Sequence, residues 1–301
     1  MSEKATVWEN HPASHAEGKS LWQDAWIRLK KDKLAIAALA IVFFYSLIAL
    51  SAKFGLIATP WDAEVGKAYS APSFENTKLW LGTDIFGRSV FYKMLHGTRI
   101  AMSVGLVTAL IAIPIGVLLG ALAGYFGGWV DELVVWFYTT LSSIPSIMLL
   151  IAFTYVLGKG IFSVYIALGV TSWVGLARLI RGEFMKHRSR EYVIAAESIG
   201  AGHCIRIFRH IFPNVVHIVI INLSLQFQIA IKTEVILSYL GLGVQGQPSW
   251  GVMIDDAKQE LARGVWWQLS SATVAMLFIV LAFNILGDAL RDSLDPKLKK
   301  G

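Results

Sequence analysis

The chain has 301 residues, of which 55% are hydrophobic and only 16% charged, with a mean hydropathy of +0.57. A soluble domain carries roughly 25% charged residues to cover its surface, so this composition, with eleven Trp and sixteen Phe, excludes a water-soluble globule and indicates a membrane protein. The net charge of +6 is spread too thinly for a nucleic-acid-binding face, and a single cysteine, Cys204, excludes an internal disulfide framework or a Cys-rich metal site.

A helix needs about 20 apolar residues to cross the hydrocarbon of a bilayer. Residues 1–33 hold six basic and five acidic residues and no short apolar region ending in a small-residue cleavage site. They read as a cytoplasmic tail, with the first helix, residues 34–52, kept as a signal-anchor. Residues 53–99 form a loop rich in charge and turn residues. Within it, Asp84 and Arg88 stand four apart, the spacing for an ion pair on one helical turn. The second span is expected over 100–126. Gly116, Gly120 and Gly124 put small residues on one face of it for close helix packing. Leu133–Leu157 and Ile161–Ala177 are the third and fourth spans, and Pro114 and Pro145 are expected to interrupt spans two and three.

Residues 178–214 follow with seven basic and three acidic residues. Ser189 is placed to cap a helix over 190–199, and Gly200 and Gly202 supply the positive φ that would stop it. A second helix, 203–212, is expected to end against Pro213, with Ile205, Phe208 and Phe212 on one face. This helix–glycine–helix pattern suits docking into a groove of a partner. The fifth span, Val215–Tyr239, carries a polar series, Asn222, Gln226, Lys232 and Glu234. Such groups in hydrocarbon face a bundle interior or a wet cavity, so they are candidates for lining a translocation path. An outer loop over 241–265 leads to the sixth span, Trp266–Gly287, and residues 291–301 form a second tail.

Basic residues orient the bundle. Residues 1–33, 178–209 and those after 287 hold 17 of the 27, all on one side under a six-span topology. The opposite side holds nine, and Lys232 lies within a span. Both termini are therefore expected in the cytoplasm.

At residues 194–213 the sequence resembles the Glu-Ala-Ala loop of permease subunits in binding-protein-dependent ABC importers. Ala195, Ala196, Gly200 and Pro213 match that motif at its spacing. Ile194 stands where the motif has Glu, with Glu191 and Glu197 nearby, while His210 and Phe212 replace its Ile and Leu. Four further stretches, Leu81-Gly-Thr-Asp…Gly87-Arg88, Glu234-Val-Ile-Leu-Ser-Tyr-Leu-Gly-Leu-Gly243, Pro248-Ser-Trp-Gly251 and Leu281–Pro296, are similar to the C-type permease of dipeptide, oligopeptide and nickel importers. The resemblance implies an all-α type I ABC importer permease fold, 100–290 forming its core, in the bacterial cytoplasmic membrane. It also implies a second, homologous permease, two ATPase subunits that use ATP and Mg and receive the coupling loop, and an extracytoplasmic substrate-binding protein. The coupling residues it marks are Glu191, Ala195, Ala196, Glu197, Gly200, His210 and Pro213. Import of short peptides is the expected activity, with nickel as the alternative in the same family.

Other classes fit less well. No Gly-x-x-x-x-Gly-Lys-Ser/Thr occurs, so the chain supplies no phosphate-binding loop of its own, and Gly241-x-Gly-x-x-Gly246 follows a membrane helix, not a strand. A stand-alone secondary transporter or channel would carry an internal repeat or polar rings. An intramembrane enzyme would need a partner for His217. His11 and His15 alone do not make a metal site, and Cys204 reads as a small buried residue. The chain is expected to bind no cofactor or metal and to have membrane lipid around it.

Overall fold

A computed structural model describes residues 21–294; of the expected tails at 1–33 and 291–301, residues 1–20, with His11 and His15, and 295–301 lie outside the described residues, while 21–31 and 291–294 are helical. Apart from isolated bridges, Glu64 to Arg88 and Thr83 to Ser89, the regular structure among the described residues is helical. Helix α1 (Leu21–Lys31) turns into α2 (Lys33–Lys53) at Asp32, whose carboxylate accepts the Leu34 and Ala35 N–H groups at 2.8 and 3.2 Å. That cap satisfies two of the orphan donors of a helix start.

Loop one is shorter than expected. Helix α3 begins at Val90, ten residues early, and runs 37 residues to Phe126. Ser89 caps it, its Oγ accepting the Tyr92 N–H at 3.2 Å. The segment Val90–Arg99 reads as loop because Lys93, His96 and Arg99 lower its hydropathy. Yet Lys93 and His96 are buried and bonded, His96 Nε2 lying 3.1 Å from the Ala58 carbonyl. Pro114 does not interrupt α3; it sits inside the helix on the exposed side, where its missing N–H and ring are accommodated.

Pro145 does break the third span. Helices α4 (Gly128–Ser142) and α5 (Ser146–Leu157) meet at 87°, as a broken span or a re-entrant hairpin. Helices α6 (Ile161–Thr171) and α7 (Val174–Arg188) together carry the fourth span eleven residues past its expected end at Ala177. Then α8 (Glu191–Ser198), a single turn α9 (His203–Ile205) and a π-helical turn (Arg206–Ile211) lead into α10 (Phe212–Tyr239). Helix α11 (Trp250–Leu261) lies within the 241–265 loop and α12 (Trp267–Leu294) closes the described chain. Among the described residues five helices are long and apolar enough to cross a membrane, and the bent pair α4–α5 makes the sixth when taken as one span.

Helix α3 is the axis of the bundle, with α2, α6, α7, α10 and α12 packed on it. The glycine face explains how α7 comes so close. A Cβ on Gly116, Gly120 or Gly124 would fall within 3 Å of the carbonyl of Trp173, Ala177 or Arg181 respectively. Small residues let the two backbones meet. On the other side of α3, Gly105 leaves room for the Phe227 ring, which stacks on Phe283 at 4.1 Å between centroids and ties α10 to α12.

Candidate functional site

One end of the bundle is held by one lysine. Lys93, 1% exposed, directs its ammonium at three acceptors: Asp84 Oδ2 at 3.1 Å, Asp256 Oδ2 at 3.2 Å and Gln268 Oε1 at 2.9 Å. Three donors thus meet three acceptors, joining loop one, α3, α11 and α12. Asp84 is equally saturated. Its Oδ1 accepts the Phe86 and Arg88 N–H groups, each at 2.9 Å, and its Oδ2 accepts Arg88 Nε at 2.8 Å. The expected Asp84–Arg88 ion pair is present, but on a tight turn at Gly87 (φ +70°), not on a helix. Burial pushes the Asp84 carboxyl up, and Lys93 and Arg88 outweigh it, so the group lies below its ordinary 3.8. Trp267 Nε1 donates to the Thr83 carbonyl at 2.9 Å and pins the same turn to α12.

Sequence reasoning found Asp84 and Arg88 but missed Lys93, Asp256 and Gln268. A lysine standing five residues beyond Arg88 was the available signal. Its other partners are 163 and 175 residues away and leave no local trace.

Beside this cluster an open cavity of about 310 Å³ lies between loop one and the loop after α10, with Trp61, Arg88, Gln245, Gln247 and Asp256 on its walls. The glycine-rich stretch builds its rim and caps α10. Gly241 takes φ +71°, and the Gly241 and Leu242 N–H groups each reach carbonyls of the last turn, Ser238 and Leu237, at 2.9 Å.

At the end of the bundle opposite Lys93 the residues marked by the family motif fall on one compact hook. Gly200 (φ +87°) ends α8, its N–H bonding to the Glu197 carbonyl at 2.9 Å. Gly202 takes φ −67°, so the turn needs one left-handed residue and not two. Ser189 does not cap α8; Arg190 holds that position, and Ser189 Oγ donates to the Lys186 carbonyl at the end of α7. Pro213 does not end the second helix. It sits in the first turn of α10, where its missing N–H is tolerated, and the helix runs on to Tyr239. Lacking that donor, the chain ahead of it loosens into the π turn, and the His210 carbonyl accepts Asn214 Nδ2 at 2.7 Å.

Charged contacts brace the hook. Glu197 pairs with Arg206 at 2.6 Å, Arg206 Nη2 reaches His203 Nδ1 at 3.1 Å, and the Tyr125 hydroxyl donates to that same nitrogen at 2.9 Å. Arg188 Nη1 donates to the Tyr125 carbonyl at 2.9 Å. Ala196 packs inward, whereas Glu191, Ala195 and Gly200 face out. Ile194, Ile199, Ile205 and Phe208 are exposed too, Ile199 by 87%. Phe212 turns inward, so the expected apolar face is shared between solvent and core. Cys204 is exposed, not buried, because α9 projects from the hook.

The polar series of α10 divides. Gln226 is buried and its Nε2 donates to the Ser172 carbonyl at 2.6 Å, filling the break between α6 and α7. Glu234 is buried and accepts the Ser238 hydroxyl at 2.7 Å. Asn222 is half-buried with Nδ2 on its own helix at Ile218, and Lys232 is exposed. The four do not converge on one face of the helix.

A family model described as "binding-protein-dependent transport system inner membrane component" matches residues 116–300. The chain belongs to this family. Residues 20–72 match a second model, the N-terminal transmembrane domain of oligopeptide transport permease C. Among relatives, a dipeptide transport system permease protein of Bacillus subtilis (strain 168) is 38% identical, over 93% of this chain and 87% of its own. An oligopeptide transport system permease protein of the same organism is 36% identical over 93% and 91%. A glutathione transport system permease protein of Pectobacterium atrosepticum is 36% identical over 92% of each chain. The expected fold and family are therefore shown: this is a multi-pass inner membrane component of a binding-protein-dependent transport system, with the all-helical bundle described above.

Proposed function

We propose that the chain is the C-type permease subunit of an ABC importer of short peptides, paired with a second, different permease. The observation that carries the peptide reading is similarity over more than nine-tenths of the chain to permeases named for dipeptides, oligopeptides and glutathione. None of these names favours nickel.

The hook from Glu191 to Pro213 supports a coupling role. Contiguous exposed apolar side chains mark interaction surfaces, and Ile194, Ile199, Ile205 and Phe208 present four on one projecting element. In this reading a partner ATPase grips the hook, ATP and Mg are used in that partner, and the hook lies in the cytoplasm with both termini. An extracytoplasmic binding protein delivers substrate to the opposite end. For the path, exposed Lys232 on a membrane-spanning helix is the most telling of the four polar residues. A charge there is costly against lipid and belongs against a second subunit or a wet channel. Asn222 joins it; Gln226 and Glu234 line the path only if the buried contacts described above open during transport.

The test is ATPase activity of the reconstituted complex with its binding protein, challenged with dipeptides, longer peptides, glutathione and nickel salts. Stimulation by peptides is expected. Stimulation by nickel alone would overturn the peptide assignment, and full transport by this chain without ATPase subunits would overturn the importer reading.

A further inference from the structure

Glu260 sits in the last turns of α11, 2% exposed, and neither carboxyl oxygen has a hydrogen-bond partner among the described residues. Buried polar groups are nearly always paired, and a buried ionised carboxylate without partners is costlier still. Its surroundings do not favour ionisation either. Asp84 from loop one and Asp256 from its own helix add like charge; Lys93 from α3 opposes them, but its three hydrogens are already taken. Helix α12 presents the neutral Gln268 to this cluster, and the acid of α10, Glu234, is turned to Ser238. The Ile85 backbone N–H faces Glu260 and favours the charged form, without closing a hydrogen bond.

We infer that Glu260 is a proton-binding site that governs the closure of the outer end of the bundle. With its proton the carboxyl is neutral, and the cluster of Lys93, Arg88, Asp84 and Asp256 balances two positive against two negative charges. Release of the proton leaves a third carboxylate competing for one ammonium, which loosens the tie between loop one, α3 and α11. Burial outweighs the opposing charge of Lys93, and with Asp84 and Asp256 adding to it holds the Glu260 carboxyl above its ordinary 4.5, so the proton leaves at a pH higher than an exposed glutamate would allow.

The sign follows from linkage. The folded state binds the extra proton, so this group's contribution to stability is present at low pH and is lost as pH rises from 4.5 through its raised value. Asp84 acts in the opposite sense and below 3.8, so the two limbs do not overlap. The complete complex in lipid nanodiscs is to be melted between about pH 4 and pH 8, alongside infrared pH-difference spectra. Wild type is expected to lose melting temperature as pH rises and to show the carbonyl band of a protonated carboxyl. Glu260→Gln is expected to remove the limb and the share of the band that Glu260 contributes, and Asp256→Asn to move the limb to lower pH by removing a like charge. An unchanged limb and band in Glu260→Gln would overturn the proposal. If that variant does not assemble, an unmoved limb in Asp256→Asn would do so.

Discussion

Replacing Gly120 by Ala asks whether α3 and α7 are held by direct backbone approach. The added Cβ would lie 2.5 Å from the Ala177 carbonyl oxygen and 2.9 Å from Ile180 Cβ. Comfortable separation is about 3.5 Å or more, so the helices must part by roughly 1 Å. A carbonyl in mid-helix cannot swing away as a side-chain tip could. Overpacking of this kind costs about 1–3 kcal/mol. Alanine also gains about 1 kcal/mol over glycine in a helix, which would mask part of the loss. Gly182→Ala on α7 supplies the comparison, because nothing lies within 4 Å of a Cβ there and only the propensity gain remains. The difference between the two variants therefore isolates the packing cost, about 1–3 kcal/mol in favour of Gly182→Ala. Unfolding of the purified complex in mixed micelles measures it. Equal stability of the two variants would refute the idea that backbone contact joins these helices.

Lys93→Met leaves Asp256 facing an apolar side chain and Asp84 with Arg88 as its one charged partner, and is expected to destabilise the protein by about 3–5 kcal/mol in the same assay. Gly200→Ala places a Cβ in open space at φ +87°, so its cost is the left-handed backbone alone, about 1–2 kcal/mol. Because the strain is confined to the hook, peptide-stimulated ATPase activity should fall more than the melting temperature of the bundle. Asp84→Asn should flatten the acid limb of stability: the wild-type carboxylate stabilises the fold above its ordinary 3.8, and that contribution is lost as pH falls through its lowered value. Gln226→Leu strands the Ser172 carbonyl and should cost about 1–3 kcal/mol, whereas Asn222→Leu, whose bond is within its own helix, should cost less.

Hydropathy located the five helices among the described residues that are long and apolar enough to cross a membrane, because the bilayer demands long apolar runs whatever the tertiary contacts. It misplaced their ends where charge is buried by partners. The early start of α3 depends on Lys93 and His96 finding acceptors in distant segments, and the extension of α7 carries Arg181 to Asp131, with which it pairs across α4. Pro145 and Pro114 have the same chemistry and both are exposed, yet one breaks a helix and the other lies inside one. In the hook, Ala195, Ala196, Gly200 and Pro213 were legible through the resemblance to the Glu-Ala-Ala motif. The continuity of the helix through Pro213 was not, since a first-turn proline and a terminating proline look alike in one dimension. The outer cluster was half visible, as Asp84 and Arg88, because only the local pair leaves a spacing signal.

Helix α3 joins both ends of the molecule. Its 37 residues span about 55 Å, against hydrocarbon of about 30 Å. One tip carries Lys93 and the other Tyr125, which holds His203 and Arg188. The two networks are thus bridged by one continuous helix, so any rigid shift of α3 against its neighbours moves Lys93 and Tyr125 together.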